Sequence, residues 1–460
     1  MFVLIVILVS TLQVIVKCEK HFVNPVLPTY PQSKESVIYM LGSMTPYHAP
    51  KTCTDSKAFL VMRHGPKFPK SSVIADIKKL EDFQTHFKNL YLNNDEALNA
   101  LPNESRIVIN AIMNWENQTS DAQPKGNTEH GTLTIKKLGK RWNSRLKNIV
   151  VNIEKADIEF NSESAKRCVE NGKDFLNEFL KINENSTVNN LPQVQIITDN
   201  RIKFDKDTFI QDDVSLNSTP SDDVEDVYYK NVCPDHNCEL TTRIRELLFP
   251  NQSTEFEEWR AKITSGIVRT MYLACANSFV YNYSIESQGH AWCSLFNYED
   301  LLMFERMHDI QYYIKNGYSS PKIMNFGHPM MRDILDFLRD TDSKKFKLFA
   351  AHTSNCLSLI TGFRLFRDKE TLTIKKMVEN DKVNDRLWKS SFLGNYACNI
   401  MVVVYDCENA KNEKSQEVTI YLNENPLTIK LDDRVMCTQC PIYVVRDLLR
   451  ILLNKTTPET

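Results

Sequence analysis

The sequence predicts an α/β protein, a sheet flanked by helices and interrupted by a long, mostly helical insertion. Three observations carry this. Short apolar runs alternate with helix-period segments at both ends of the chain. The stretch from 255 to 316 repeats apolar residues at helical spacing without a strand-like run. Two apolar runs, 58–62 and 346–351, both stop on a histidine.

In order, Ala58 to Met62 reads as a short strand, and the Arg63-His64-Gly65-Pro66-Lys67-Phe68-Pro69 that follows cannot continue a ladder. Ile74, Ile77, Leu80, Phe83, Phe87 and Leu90 predict one helix over 74–91. Thr132 to Ile149 predicts another, broken or capped near Gly139. Asp157 to Asn161 is a brief strand, and Arg167 opens a helix whose inner face is Val169, Phe175, Phe179 and Leu180. Val194 to Thr198 is again a strand. From 205 to 250 the chain turns polar, and its acidic run Asp222 to Asp226 reads as a solvated surface.

Trp259, Ile263, Ile267 and Met271, then Leu301, Phe304, Met307 and Tyr312, mark the helical insertion. Met331 to Leu338 is helical, Phe346 to Ala351 a strand ending at His352, and Ile400 to Tyr405 a fully apolar strand. Glu417 to Leu422 and Pro426 to Leu431 form a hairpin around Asn423-Glu424-Asn425. The expected organisation is a leader over 1–18, a discontinuous sheet domain over 19–204 and 320–455, and an inserted helical domain over 205–319.

A net charge of −2 over 460 residues provides no global basic field, so no nucleic-acid partner is expected. Neither GxGxxG nor GxxxxGK[ST] occurs. Residues 1–16, MFVLIVILVSTLQVIV, are too short for a comfortable bilayer span of roughly 20 residues. With Val16 and Cys18 ahead of Glu19 they read as a signal peptide, whose cleavage leaves no membrane span; the alternative is an uncleaved anchor. Secretion fits the sequons at Asn103, Asn117, Asn185, Asn217, Asn251, Asn282 and Asn454. Beyond Cys18 there are eleven cysteines, so pairing in an oxidising compartment leaves at least one free thiol. Cys233 and Cys238 make a local disulfide or loop, because no second close pair completes a zinc site.

The chemistry gathers at the strand ends. In open α/β sheets ligands sit beyond the carboxyl ends of strands. Parallel strands would bring His64 and His352 together there, with Arg167 at a helix N-terminus and Arg63 and Lys67 beside them. Cations around two imidazoles suit a phosphate, since guanidinium and ammonium groups match its oxygens and a neutral imidazole can attack phosphorus. Taken alone, Arg-His-Gly is equally a basic turn after a buried strand.

RHGPKFP resembles the RHGxRxP signature of the histidine phosphatase superfamily, in the branch holding acid phosphatases and phytases. LGSMTPY at 41–47, KTC at 51–53, Lys166-Arg167-Cys168-Val169, Gly317-Tyr318, Phe366 to Glu370 and Asp406 to Lys411 are similar in order and spacing to the multiple inositol polyphosphate phosphatases, over about residues 40 to 435. The resemblance implies a histidine-phosphatase-like α/β fold and a phosphorylated small-molecule substrate, an inositol polyphosphate, with neither metal nor organic cofactor. It implies that His64 is the nucleophile and that Arg63, Arg167 and His352 hold the phosphate oxygens. It also implies disulfides Cys53–Cys407, Cys275–Cys293 and Cys437–Cys440.

Two positions depart from the family. Lys67 replaces the signature's second arginine, keeping charge but losing the bidentate fork. The family's His-Ala-Glu becomes His352-Thr353-Ser354, so Ser354 stands where the proton donor should be. Losing a general acid removes about 10²–10⁴ in rate. A phosphomonoesterase with weakened acid assistance and a catalytically silent phosphate-binding protein both remain open.

Overall fold

The computed structural model describes residues 52–454, apart from 120–121, 182–189, 199–222, 235–237, 251–253, 282–287, 340, 380–383, 410–411 and 431–435. The expected leader, the LGSMTPY segment and the sequons at Asn185, Asn217, Asn251 and Asn282 lie outside the described residues.

Six strands make up most of an eight-stranded sheet, β1 (Thr52–Arg63), β2 (Ile158–Ser162), β3 (Val194–Ile196), β4 (Phe346–Ala351), β5 (Asn399–Glu408) and β6 (Lys414–Leu422), and two two-residue strands, Asn425–Pro426 and Cys440–Pro441, complete it. The six lie in the order β6-β5-β1-β4-β2-β3, with the short strand Cys440–Pro441 outside β6. β1, β4, β2 and β3 are mutually parallel, whereas β5 runs antiparallel to both β1 and β6. Ala58 to Met62 are fully buried, as a strand covered on both faces must be.

Alternate residues of β1 feed two cores. On one face Ala58, Leu60 and Met62 meet helices α3 (Glu129–Arg145) and α4 (Lys166–Leu180). On the other, Phe59 and Val61 join a larger core. It is shared by α1 (Ser71–Lys78), α2 (Leu80–Tyr91), α5 (Ser265–Ser278), α6 (Tyr298–Asn316), α7 (His328–Phe337), α8 (Thr353–Gly362) and α9 (Ile442–Asn454). α4 is seated by aromatic rings, with Phe179 stacked 4.6 Å from Phe346 at the start of β4. Burying each such ring contributes about 1.5–3 kcal/mol.

Several local expectations change. β1 begins at Thr52, not Ala58, because the polar residues 52–57 extend the ladder with β5 across a bulge at Asp55/Lys57. The helix expected over 74–91 is two, α1 and α2, separated at Lys79. The helix expected over 132–149 breaks at Leu146 rather than Gly139. Gly139 instead lets α3 approach the Phe175 carbonyl of α4 closely. The expected hairpin is only two pairs long, Tyr421↔Pro426 and Leu422↔Asn425, and turns through Asn423 and Glu424 at φ 48° and 67°. Ile429–Lys430 pairs with Met436–Cys437 instead. The acidic run is not wholly solvated: Glu225 bonds His308 at 2.9 Å and pairs with Arg269 at 3.3 Å.

The disulfides are Cys53–Cys407, Cys233–Cys238, Cys275–Cys293 and Cys437–Cys440. Cys168, Cys356 and Cys398 are buried free thiols. Of the described sequons, Asn103 and Asn454 are exposed, while Asn117 is half-buried and its Nδ2 donates to Glu81 at 2.6 Å. Among the described residues, no helix is long and apolar enough to cross a membrane.

Candidate active site

Parallel register puts the site in one row. Arg63 pairs with Ala351 and Ser162 with Ala350, so His64, His352 and Glu163 leave β1, β4 and β2 side by side. The rings of His64 and His352 meet edge to face at 5.3 Å.

His64 is 3% exposed. Its Nδ1 lies 2.8 Å from the Gly65 carbonyl, which can only accept, so Nδ1 carries the proton and Nε2 keeps its lone pair. Burial, aided by Arg63, holds this imidazole well below the ordinary histidine range, so it stays neutral into mildly acidic solution. The turn behind it is pinned by the Gly65 N–H, which donates to Asn171 Oδ1 on α4 at 2.8 Å.

Two guanidiniums flank the imidazoles. Arg63 donates through Nη1 to the Gly394 carbonyl at 2.6 Å and lies 4.0 Å over the Tyr396 ring. Arg167 stands in the first turn of α4, where the helix N-terminus adds positive potential, with Nη2 3.1 Å from His352 Nε2. In both arginines Nε is buried and has no hydrogen-bond partner. Lys67 bridges to Asn127 through the backbone. Burial, reinforced by Arg167 and Arg63, pushes its ammonium down to about 8. Three cations thus stand together beside the two imidazoles.

Ser354 occupies the first turn of α8, half-buried, two residues past His352. Among the described residues, the carboxylate in contact with these imidazoles is Glu163, with Oε2 2.9 Å from His352 Nε2 and 3.2 Å from the Ala165 N–H. The hydrogen bond with His352 holds this carboxyl below the usual range. Sequence reasoning missed Glu163 and Asn171. The only signal for Glu163 was its place directly after a strand end.

Glu163, Cys168 and His352 bring their donor atoms within 4.8 Å of one another. The set does not suit a cation. Burial pushes the Cys168 thiol up to about 12, and the Arg167 guanidinium already stands against His352. A separate surface depression, lined by Thr52, Asp406 and Lys414, opens at the opposite end of β1 and contains none of these groups.

The sequence and the fold have counterparts among known proteins. The family model described as histidine phosphatase superfamily (branch 2) matches residues 56–423. Multiple inositol polyphosphate phosphatase 1 of Drosophila melanogaster is 20% identical over 388 residues, 82% of this chain and 76% of that protein. The human protein of that name is 26% identical over 177 residues, 36% of this chain and 35% of its own. Among solved structures, the phytase from D. castellii superposes with a TM-score of 0.59 at 14% identity, covering 89% of this chain and 81% of that one. Bifidobacterium longum multiple inositol polyphosphate phosphatase in complex with phosphate gives 0.54 at 13%, covering 92% and 96%. At such identities the structural likeness is one of fold. With the family model spanning both strand ends, from before Arg63 to beyond His352, the chain belongs to branch 2 of the histidine phosphatase superfamily.

Proposed function

We propose that this phosphatase removes phosphate groups from inositol polyphosphates through a phosphohistidine formed on His64, and that it works as a secreted protein. One observation carries the reaction: the bond from Nδ1 to Gly65 leaves the lone pair on His64 Nε2, and Arg63 and Arg167, which both act on that imidazole, have buried Nε–H groups that lack partners. A phosphate there would satisfy both donors, and the guanidiniums would stabilise the charge spreading over its oxygens as phosphorus transfers to nitrogen. His352 holds a third oxygen, and Lys67 adds a single, non-bidentate contact. The names of the relatives support the substrate class. The apolar leader, the sequons and the four disulfides support secretion.

Ser354 offers no acid, so position 354 cannot deliver the proton that a poor leaving group needs. That same residue favours a second reading, a silent protein that binds a phosphorylated ligand. Hydrolysis of inositol hexakisphosphate and p-nitrophenyl phosphate from pH 4 to 8, beside His64→Ala, separates the two. Release that depends on His64, with label trapped on histidine after acid quench, supports the enzyme. Phosphate binding without release supports the silent protein, and release that persists in His64→Ala refutes the phosphohistidine.

A further inference from the structure

We propose that Glu163 is the proton donor of this site, replacing the carboxyl group that position 354 lacks. The inference rests on the phosphatase reading above. Its ground is geometric. The exit of β2 delivers Glu163 to the meeting point of the phosphate-holding groups, 2.9 Å from His352 Nε2, where Arg167 Nη2 also arrives at 3.1 Å. Glu163 is faced by His352 from α8, by Arg167 and the Cys168 thiol from α4, and by the Ala165 N–H of its own loop. Asp174, on the same helix as Arg167, accepts from Asn171 at 3.4 Å, and no contact joins it to either histidine among the described residues.

In the empty site the carboxylate serves as the anion of the clamp. A phosphate dianion entering there takes the hydrogen bonds of His352 and Arg167. Glu163 then loses its counter-charges and gains a like charge beside it, and both changes favour its neutral form. It binds a proton as the ligand binds. In the first step the His64 Nε2 lone pair forms the N–P bond while the bond from phosphorus to the ester oxygen breaks. The electron pair left on that oxygen takes the proton from the Glu163 carboxyl, which becomes a carboxylate. In the second step Glu163 takes a proton from water as that water attacks phosphorus, and the N–P electron pair returns to His64.

Glu163 also has a structural use, since it caps the Ala165 N–H and orients His352. A merely positioning role would move all substrates alike. Glu163→Gln keeps size and acceptor but cannot carry the proton. Two readouts test it. In kinetics, Glu163→Gln should lose about 10²–10⁴ in hydrolysis of inositol hexakisphosphate, whose alkoxide needs a proton. With p-nitrophenyl phosphate, whose leaving group does not, it should lose less than about tenfold. In calorimetry with inorganic phosphate at pH 7, in two buffers of different ionisation enthalpy, the wild type should take up about one proton more than Glu163→Gln. Equal losses for both esters, or equal proton counts with normal phosphate binding, would overturn the role of Glu163 while leaving the phosphate site standing. If the wild type binds no inorganic phosphate, the phosphatase reading falls, and this inference with it.

Discussion

Gly65 and Gly131 pass backbone against backbone. A Cβ on Gly65 would overlap the Gly131 carbonyl, and one on Gly131 would overlap the Pro66 carbonyl. The start of α3 thus wedges the turn that carries His64, helped by Thr128, whose hydroxyl donates to the Pro66 carbonyl at 3.1 Å. Gly131→Ala should destabilise by at least about 1–3 kcal/mol and lower turnover together with stability. Gly266→Ala, in the first turn of α5, where a Cβ would meet only Thr264 Oγ1 at an ordinary 3.6 Å, is the control and should be neutral or slightly stabilising. Denaturant unfolding of both variants checks this, and a Gly131→Ala protein of wild-type stability would refute the wedge.

Lys67 makes the alkaline limb of phosphate binding. With its ammonium pushed down to about 8, the ligand-free site loses a positive charge as pH rises through that value. Affinity for inorganic phosphate should fall across this window. Lys67→Arg stays charged and adds a fork, so its affinity should be higher and nearly flat from pH 7 to 9.5. Between about 8 and the unfolded value near 10.4 the unfolded chain holds more protons at this position. Conformational stability therefore rises with pH across that interval in the wild type and not in the variant. Titration calorimetry and thermal unfolding read the two effects.

Ser354 and Glu163 are predicted to exchange roles. Ser354→Glu alone crowds two carboxylates into one anion site and should raise KM. In the Glu163→Gln background it should recover at least about tenfold of the lost hydrolysis of inositol hexakisphosphate, since one positioned acid is worth about 10²–10⁴. A double variant no faster than Glu163→Gln would show that position 354 cannot reach the leaving oxygen.

Cys53 and Cys407 face each other across the β1–β5 ladder and close a loop of 354 residues in sequence separation. Replacing both by serine should cost about 2–5 kcal/mol. Urea unfolding under non-reducing conditions measures it. The row of site residues lies at the far end of β1, so phosphate affinity of the folded variant should stay within about threefold, which is under 1 kcal/mol.

Much of this was legible in the chain because it is local. His64 and His352 end apolar runs, and such runs must be buried strands. Arg167 follows a strand and opens a helix, which fixes its place at a helix N-terminus. Glu163 was not legible. It matters only because β2 lies beside β4, a neighbour 188 residues distant, and nothing in Asn161-Ser162-Glu163 encodes that pairing. The polar start of β1 was hidden for the same reason. Thr52 to Lys57 lack strand patterning and are strand only because β5 supplies their partners. The break at Leu146 was misassigned to Gly139, whose missing side chain serves packing against α4 rather than helix termination.

The sheet order has a consequence for how the chain is made. β4 sits between β1 and β2 yet is synthesised long after both. Until residues 346–351 leave the ribosome, β1 has neither of its partners, β4 and β5, and β2 has only β3, so both present unpaired edges, a template for mispairing within the chain or with a neighbour. The strand that joins β1 to β2 is also the one that brings His352. A chain stalled before it lacks His352, so under the proposed function retention of inorganic phosphate would report that β4 has been laid between β1 and β2.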